Sequence, residues 1–243
     1  MTSFVSQVGS VAALADPIRR DLYAFVSAQA EAVSRDQAAA AVGVPSHKAK
    51  FHLDRLSESG LLEVEYRRLS GKAGPGAGRP TKLYRRADRE VSVSLPPREY
   101  DLAATIMAAA IEASVHDGTP LPDALRTCAR AAGRALASGA VAGATGPGDD
   151  VPVRRGGPLD QVWAVLADHG YEPRLEDDDR GQQRVVMANC PFHSLSRTHT
   201  ELVCGLNSDL IDGLTETLGN GVVTARLEPA PGRCCVVLRT QEG

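Results

Sequence analysis

Four of the five cysteines follow residue 189, and a histidine stands three residues after the first of them. Thiolate and imidazole are soft or borderline ligands, which suit zinc or an iron–sulfur cluster far better than magnesium or calcium. The spacing therefore predicts a metal or cluster site with four donors: Cys190, His193, Cys204 and Cys234.

Some of the cysteines also have a simpler interpretation as buried apolar residues. Cys204 follows two apolar residues and fits a core position. Cys235 alternates with apolar residues along a strand pattern, so we expect Cys235 to be buried and Cys234 to take the opposite, ligand-bearing face. Cys128 stands alone in an Ala-rich helical pattern and is expected to fill space in a core.

The first nine residues carry neither the cationic region nor the apolar region of a secretory signal. The longest apolar stretch, near residues 102–111, is too short to cross a bilayer. We therefore expect a cytoplasmic protein without a membrane partner. In a reducing cytoplasm, clustered cysteines are metal ligands or redox groups rather than a disulfide framework.

Charge is unevenly distributed along the chain. Residues 1–90 carry 14 Lys and Arg and 10 Asp and Glu, whereas residues 91–243 carry 13 and 20. Residues 64–89 alone carry 8 basic and 2 acidic side chains. A basic N-terminal part joined to an acidic C-terminal part is typical of a nucleic-acid-binding module with a sensory or oligomerising half.

Capping signals near the N-terminus predict two short helices. Asp16 is an N-cap before Pro17, which opens the first helix. Ser34 and Gln37 form a capping box for a second, Ala-rich helix that ends at Gly43.

A third helix follows after a short turn, with Ser46 as its expected N-cap and Gly60 as its stop. Strands are predicted at 61–67 and 82–86, on either side of a glycine-rich tip at 71–80. Helix, short turn and helix is the helix-turn-helix arrangement, whose second helix lies in the major groove, and the strand pair completes a winged helix. The third helix has a stripe that is expected to be buried: Ala49, Leu53 and Leu56.

Four stretches of the N-terminal part carry a recognisable pattern: ADPIRR at 15–20, KFHLDRL at 50–56, SGLL at 59–62 and GRPTKLY at 78–84. They resemble the ArsR-type bacterial winged-helix transcriptional regulators. With the element Asn189-Cys190-Pro191, the chain is similar more narrowly to the SufR-like branch, whose members repress transcription and sense iron–sulfur clusters.

This resemblance implies an iron–sulfur cluster as the favoured cofactor, with zinc as the alternative. Cys190, Cys204 and either Cys234 or Cys235 stand at positions that are cysteines in the SufR-like branch. The branch has one further cysteine without an equivalent here, and His193 is expected to take its place.

The exposed side of the third helix and the glycine-rich tip carry the expected DNA contacts. Basic side chains neutralise phosphates or reach guanine, and short polar ones touch base edges in the major groove. An arginine between glycine and proline suits a narrow minor groove. The alternative for the tip is a merely flexible loop. We predict seven contact residues: Ser46, His47, Lys48, Lys50 and Arg55 on the helix, and Lys72 and Arg79 in the tip.

The predicted fold class is α+β, with a winged helix-turn-helix domain at 1–95. Two Ala-rich helices at 96–140 carry small residues that permit close contact, so we expect a dimerising connector or, alternatively, a helical hairpin within one chain. A flexible linker rich in Gly and Pro is predicted at 141–157. Residues 158–243 are predicted to form a small α+β sensor domain in which the cysteines converge.

The leading interpretation is a homodimeric transcription regulator that binds an operator in double-stranded DNA. Its C-terminal Cys/His centre would sense redox, iron or cluster status and thereby change operator binding. The alternative keeps DNA binding but gives the C-terminal half a small-molecule pocket and a structural zinc site. An enzyme is not expected, because the chain has no Gly-x-Ser-x-Gly, phosphate-loop or His-Glu-x-x-His motif.

Overall fold

The computed structural model of the chain describes residues 4–68, 80–143, 157–178 and 182–240. The chain divides into two compact units, Met1–Val93 and Ser94–Gly243. Residues 71–79 of the predicted tip and residues 144–156 of the predicted linker lie outside the described residues. The predicted start of the linker at residue 141 is wrong, because the preceding helix continues to Gly143.

The described residues of the first unit form four helices and a small antiparallel sheet in the order β1-β3-β2. The helices are α1 (Phe4–Ala13), α2 (Pro17–Ser27), α3 (Arg35–Val42) and α4 (Ser46–Glu58), and the strands are β1 (Val33–Ser34), β2 (Leu62–Arg67) and β3 (Thr81–Arg86).

The predicted helix caps are present at the start of α2 and at both ends of α3. The Asp16 carboxylate accepts a hydrogen bond from the Arg19 amide at 3.0 Å. Ser34 and Gln37 form both hydrogen bonds of a capping box. Gly43 ends α3 in the left-handed conformation at φ 72°, which glycine adopts without the steric strain of a side chain.

The structure corrects the predicted start of α4. Pro45, not Ser46, is the N-cap, because Pro45 has extended backbone whereas Ser46 is already helical and makes no capping hydrogen bond. The predicted stripe is confirmed, since Ala49, Leu53 and Leu56 are fully buried. They pack with Leu22 and Val26 of α2 and with Tyr84 of β3 in the core of this unit.

Helix α1 was not predicted. Its ten residues carry no charge, so neither end of the helix is marked by acidic or basic side chains. Tertiary contact holds it in place instead: the buried Ser10 hydroxyl donates a 2.7 Å hydrogen bond to the Ser59 carbonyl oxygen, just after α4.

In the parts of the second unit that the structure describes, five helices combine with a four-stranded antiparallel sheet in the order β4-β5-β7-β6. The helices are α5 (Tyr100–Asp117), α6 (Leu121–Gly143), α7 (Pro158–Asp168), α8 (His193–Thr198) and α9 (Thr200–Leu218), and the strands are β4 (Pro173–Asp177), β5 (Gln183–Met187), β6 (Val223–Leu227) and β7 (Val236–Thr240).

The two Ala-rich helices predicted as a connector are α5 and α6, and they pack inside this second unit. Helix α6 lies against α9 so closely that a Cβ atom on Gly133 would come within 2.0 Å of the Leu210 carbonyl oxygen, and one on Gly213 within 2.1 Å of the Arg130 carbonyl oxygen. These small residues thus serve contact within one chain, between α6 and α9 rather than between the two Ala-rich helices. Dimerisation stays a prediction.

Within the described residues, α9 contacts two apolar cores. Its C-terminal half packs with α7, the sheet and the end of α6, and its N-terminal half packs with α5 and α6. Cys190 packs against both cores. No helix in the described parts of the chain is both long enough and apolar enough to span a membrane.

Candidate functional site

Four thiols from three separate segments come together in the second unit, and we call them the thiol site: Cys190, Cys204, Cys234 and Cys235. Cys190 lies in the loop between β5 and α8, Cys204 is near the start of α9, and the adjacent pair directly precedes β7. The sulfur atoms of Cys204 and Cys235 are 2.9 Å apart. Cys190 and Cys234 interact closely enough to change each other's pKa.

The fourth neighbour in this group is Cys235 rather than His193. His193 is exposed at the start of α8, and its backbone N–H, not its imidazole, bonds to the Cys190 carbonyl oxygen at 3.0 Å. The expected burial of the adjacent pair is also reversed. Cys234 shares the core-facing side of Val236 and is 2 % exposed, whereas Cys235 is half-buried beside Cys204.

Two buried polar side chains, which the sequence did not indicate as site residues, orient the thiol of Cys234. The Asn207 amide nitrogen lies 3.2 Å from the Cys234 sulfur. The Asn207 side-chain oxygen accepts a 2.6 Å hydrogen bond from the Tyr171 hydroxyl. Because Asn207 follows Cys204 by three residues on α9, a polar residue at that spacing in an apolar stripe was the available signal.

The thiols differ in their ease of ionisation. Interaction with the Cys234 thiol lowers the pKa of Cys190 to about 7, although burial opposes this, and the Phe192 amide assists. Burial and the neighbouring Cys235 raise the pKa of Cys204 to about 12. Interaction with Cys190 and burial raise the pKa of Cys234. Cys190 is therefore the most readily ionised of these three thiols, and the thiolate is the form that binds metals.

The donors suit a metal centre, because four thiolates can ligate zinc or an iron–sulfur cluster. Tetrahedral zinc would hold its sulfur ligands about 3.8 Å apart, and an iron–sulfur cluster would hold them at least as far apart. Either centre would therefore require the 2.9 Å contact between Cys204 and Cys235 to open. Within the residues that the structure describes, no group of three or more His, Cys, Asp and Glu side chains is arranged to hold a metal ion.

The loop that carries Cys190 is fastened to the segment before α5. Asn189 is 8 % exposed, and its amide nitrogen donates to the carbonyl oxygens of Gly170 at 2.6 Å and Pro97 at 3.2 Å. Arg98 donates to the Asn189 side-chain oxygen at 2.6 Å and to the Cys190 carbonyl oxygen at 3.2 Å. We call these contacts the Asn189 clamp.

The second candidate site is the exposed side of α4, which we call the α4 face. All five predicted contact residues on this helix are exposed, and their opposite side is the buried stripe. The other two predicted contacts, Lys72 and Arg79, lie outside the described residues. The members of the α4 face are Ser46, His47, Lys48, Lys50, Phe51 and Arg55.

Most of the basic charges on the α4 face are paired within the helix. Lys50 lies 3.3 Å from Asp54, and Arg55 lies 3.0 Å from Glu58. Lys48 forms no ion pair with any described residue. Its charge is therefore the one most available to an anionic partner.

Asp54 joins the α4 face to strand β3. Its carboxylate accepts hydrogen bonds from the Lys82 ammonium at 2.5 Å and from the buried Tyr84 hydroxyl at 2.8 Å, in addition to the contact with Lys50. Burial alone would raise the pKa of Asp54, but the hydrogen bonds from Lys82 and Tyr84 outweigh it and hold this pKa below its ordinary value. Asp54 thus holds Lys50 of α4 and Lys82 of β3 close to each other.

In a comparison with known protein families, residues 14–65 match a family described as a helix-turn-helix domain. Residues 14–65 form a helix-turn-helix domain. They extend from just before α2 through α4 into β2, and so include the whole α4 face. No curated protein and no solved structure matches the chain.

The helix-turn-helix domain makes DNA the expected partner of the α4 face. In this arrangement the N-terminal part of the second helix meets base edges, which here is the part with Ser46, His47 and Lys48. The sequence analysis did not identify Asp54 as a site residue, because Asp54 acts by accepting hydrogen bonds from β3, which lies far away in sequence. The matched region does not reach the thiol site.

Proposed function

We propose that this chain is a DNA-binding transcription regulator in which an iron–sulfur cluster at the thiol site controls operator binding. The helix-turn-helix domain supports the DNA-binding part. The observation that carries the regulatory part is the assembly of four cysteines from three segments around one place in the second unit.

The first unit would bind the operator as a winged helix. Helix α4 would enter the major groove, and β2 and β3, which pair from Leu62↔Arg86 to Arg67↔Thr81, would lead to the tip as the wing. Asp54 would hold α4 and β3 in a fixed relation, so that their lysines present charge to the phosphates at a set spacing.

At the thiol site, Cys190, Cys204, Cys234 and Cys235 would hold the cluster in place of the predicted set with His193. A bound iron–sulfur cluster supplies reversible electron transfer and sensitivity to oxidants and iron supply. The chain itself would bind through the ready thiolate of Cys190, orient Cys234 through Asn207, and shield the site with the buried Tyr171 and Phe192. Ligation would also couple occupancy of the site to local folding.

The Asn189 clamp offers a route from the thiol site to the DNA-binding unit. Residues 97–99 are held against the Cys190 loop, and Glu99 also donates its amide to the Pro191 carbonyl oxygen at 3.2 Å. The first unit ends only a few residues earlier, at Val93. Movement of the Cys190 loop on loss of the cluster would therefore displace the segment that leads out of the first unit.

Helix α5 has the surface that we propose for dimerisation. Ile111 is 53 % exposed and Val115 is 74 % exposed, one helical turn apart on a side that α6 leaves uncovered. Two copies of this stripe packed by two-fold symmetry would bury both. A dimer would also match the pseudo-palindromic operators that helix-turn-helix proteins read.

Anaerobic purification tests the proposal directly. We expect brown protein with charge-transfer absorption and bound iron and sulfide, and operator affinity that differs between the loaded and the stripped protein. Cys190→Ser and Cys204→Ser should lose the chromophore, while Cys128→Ser should keep it, because Cys128 packs against the core of α5, α6 and α9.

Colourless protein with stoichiometric zinc would instead support the alternative, a regulator with structural zinc and a small-molecule effector. Cys190→Ser protein with full iron content would show that the thiol site is not the ligand set. Identical operator affinity with and without the cluster would remove its regulatory role.

A further inference from the structure

Phe51 stands out on the α4 face. Its side chain is 59 % exposed although it is large and apolar, and it lies in the second turn of α4. Its ring makes an edge contact with the His52 ring, with centroids 5.3 Å apart, and this contact leaves the ring's outer side open. Phe51 thus exposes much of its side chain, although it would gain free energy by leaving water.

The surroundings of Phe51 are polar and partly cationic. Phe51 lines a shallow groove on the surface of α4 together with His47, Lys50 and Arg55 and with the carboxylates of Asp54 and Glu58, which pair with Lys50 and Arg55. Lys48 is free of ion pairs among the described residues, and Lys50 is held by Asp54. An apolar protein surface that covered Phe51 would have to desolvate these charges, whereas DNA supplies phosphates for the lysines. The charge pattern therefore favours a nucleic acid as the partner that covers Phe51.

The major groove offers one apolar group to an exposed aromatic ring, the C5 methyl group of thymine. The other base edges in this groove are hydrogen-bond donors or acceptors that Phe51 cannot satisfy. We infer that Phe51 is a specificity-determining residue that packs on a thymine methyl group in each operator half-site. This inference rests on the proposed function and adds a base identity to it.

The test removes the methyl group without altering hydrogen bonding. Duplexes that the wild-type protein selects from a random-sequence pool are resynthesised with deoxyuridine in place of single thymidines, and affinities are measured at fixed salt by fluorescence anisotropy. At one thymine per half-site we expect the wild type to lose about fourfold in affinity, the value of one buried methyl group. Phe51→Ala should bind the two duplexes equally, and Phe51→Leu should keep part of the preference.

Lys48→Ala is the matched control on the same helix. It should weaken binding to both duplexes and keep the wild-type ratio between them, because a phosphate contact does not sense the methyl group. The inference is overturned if no deoxyuridine position affects the wild type, or if Phe51→Ala keeps the wild-type ratio.

The outcomes also distinguish DNA from a protein surface as the partner that covers Phe51. If a protein surface covers this side chain, Phe51→Ala will lower the thermal midpoint or change the sedimentation coefficient and leave the methyl preference intact, which also overturns the inference. If the pool yields no enriched duplex at all, the proposed DNA-binding function fails and the inference falls with it.

Discussion

The α4 face and the thiol site are built in opposite ways. The α4 face comes from consecutive turns of one helix, is exposed, and has its charges paired with near neighbours such as Lys50 with Asp54. The thiol site comes from three segments and is largely buried, and Arg98 donates a hydrogen bond to the carbonyl oxygen of Cys190 in the loop that carries this thiol.

This difference determines what each site can do. A surface on one rigid helix keeps its geometry when it meets a partner, so it can read a fixed pattern of groups. A site assembled from three segments holds only while those segments stay packed, so whatever occupies it also reports on the packing of the second unit. The first arrangement suits recognition and the second suits sensing.

The largest expected effect concerns the helix packing that supports the thiol site. Gly213→Ala should lower the free energy of unfolding of the second unit by about 3 kcal/mol, because the new Cβ would lie 2.1 Å from the Arg130 carbonyl oxygen. Thiol reactivity at Cys204 should rise as α9 loosens. Gly205→Ala on the same helix has open space for its Cβ and should leave the unfolding midpoint almost unchanged. Urea unfolding of both variants checks this, and equal midpoints would contradict the close helix contact.

The next effect decides between the two candidates for the fourth ligand. Cys235→Ser should lose most of the bound iron, because Cys235 contacts Cys204 at 2.9 Å. His193→Ala should retain it, since this side chain is exposed. Iron and sulfide analysis of anaerobic protein measures both. The opposite result would restore the ligand set predicted from the sequence.

Asp54→Asn tests the link between α4 and β3. We expect a loss of about 1 kcal/mol at pH 7, because the hydrogen bonds from Lys82 and Tyr84 lose their charged acceptor. The pKa of Asp54 is lowered in the folded state, so its contribution is fully present above the unfolded value of 3.8 and disappears as the pH falls through the lower folded value. Unfolding at pH 7 and in acid should therefore show a difference that shrinks in acid; a constant difference would mean that charge is not involved.

The smallest effects compare two lysines of the α4 face. Lys48→Ala should reduce the slope of operator affinity against salt by about one unit. Lys50→Ala should reduce it less, because Asp54 already neutralises part of the Lys50 charge. Salt titrations of DNA binding give both slopes. Equal slopes for the two variants would show that the ion pair breaks on binding.

The sequence predicted the helices of the helix-turn-helix domain well because their signals are local. Asp16, the capping box of Ser34 and Gln37, and Gly43 each act within a few residues of the helix end that they mark. Strand β1 escaped prediction because its two residues become a strand only by pairing with β3, as Val33↔Tyr84 shows. Such pairing has no local signature.

The thiol site was predicted in composition but not in arrangement. Spacing placed Cys190, Cys204 and Cys234 in one site, but it could not show which way each side chain points. His193 was favoured over Cys235 because it lies three residues from Cys190, yet the turn into α8 directs it to the surface. The Asn189 clamp depends on residues separated by more than 90 positions, and no sequence pattern indicates it.

The approach of α6 to α9 also has a mechanical consequence. At Gly133 and Gly213 the two helices meet backbone to backbone, with no side chain between them that could change rotamer and absorb a displacement. Arg130 braces the same seam through Asp209 and Asp212 at 3.3 and 2.8 Å. The two helices therefore have little freedom to move relative to each other at this contact. We expect a shift of α9 at Cys204 to move α6 as well.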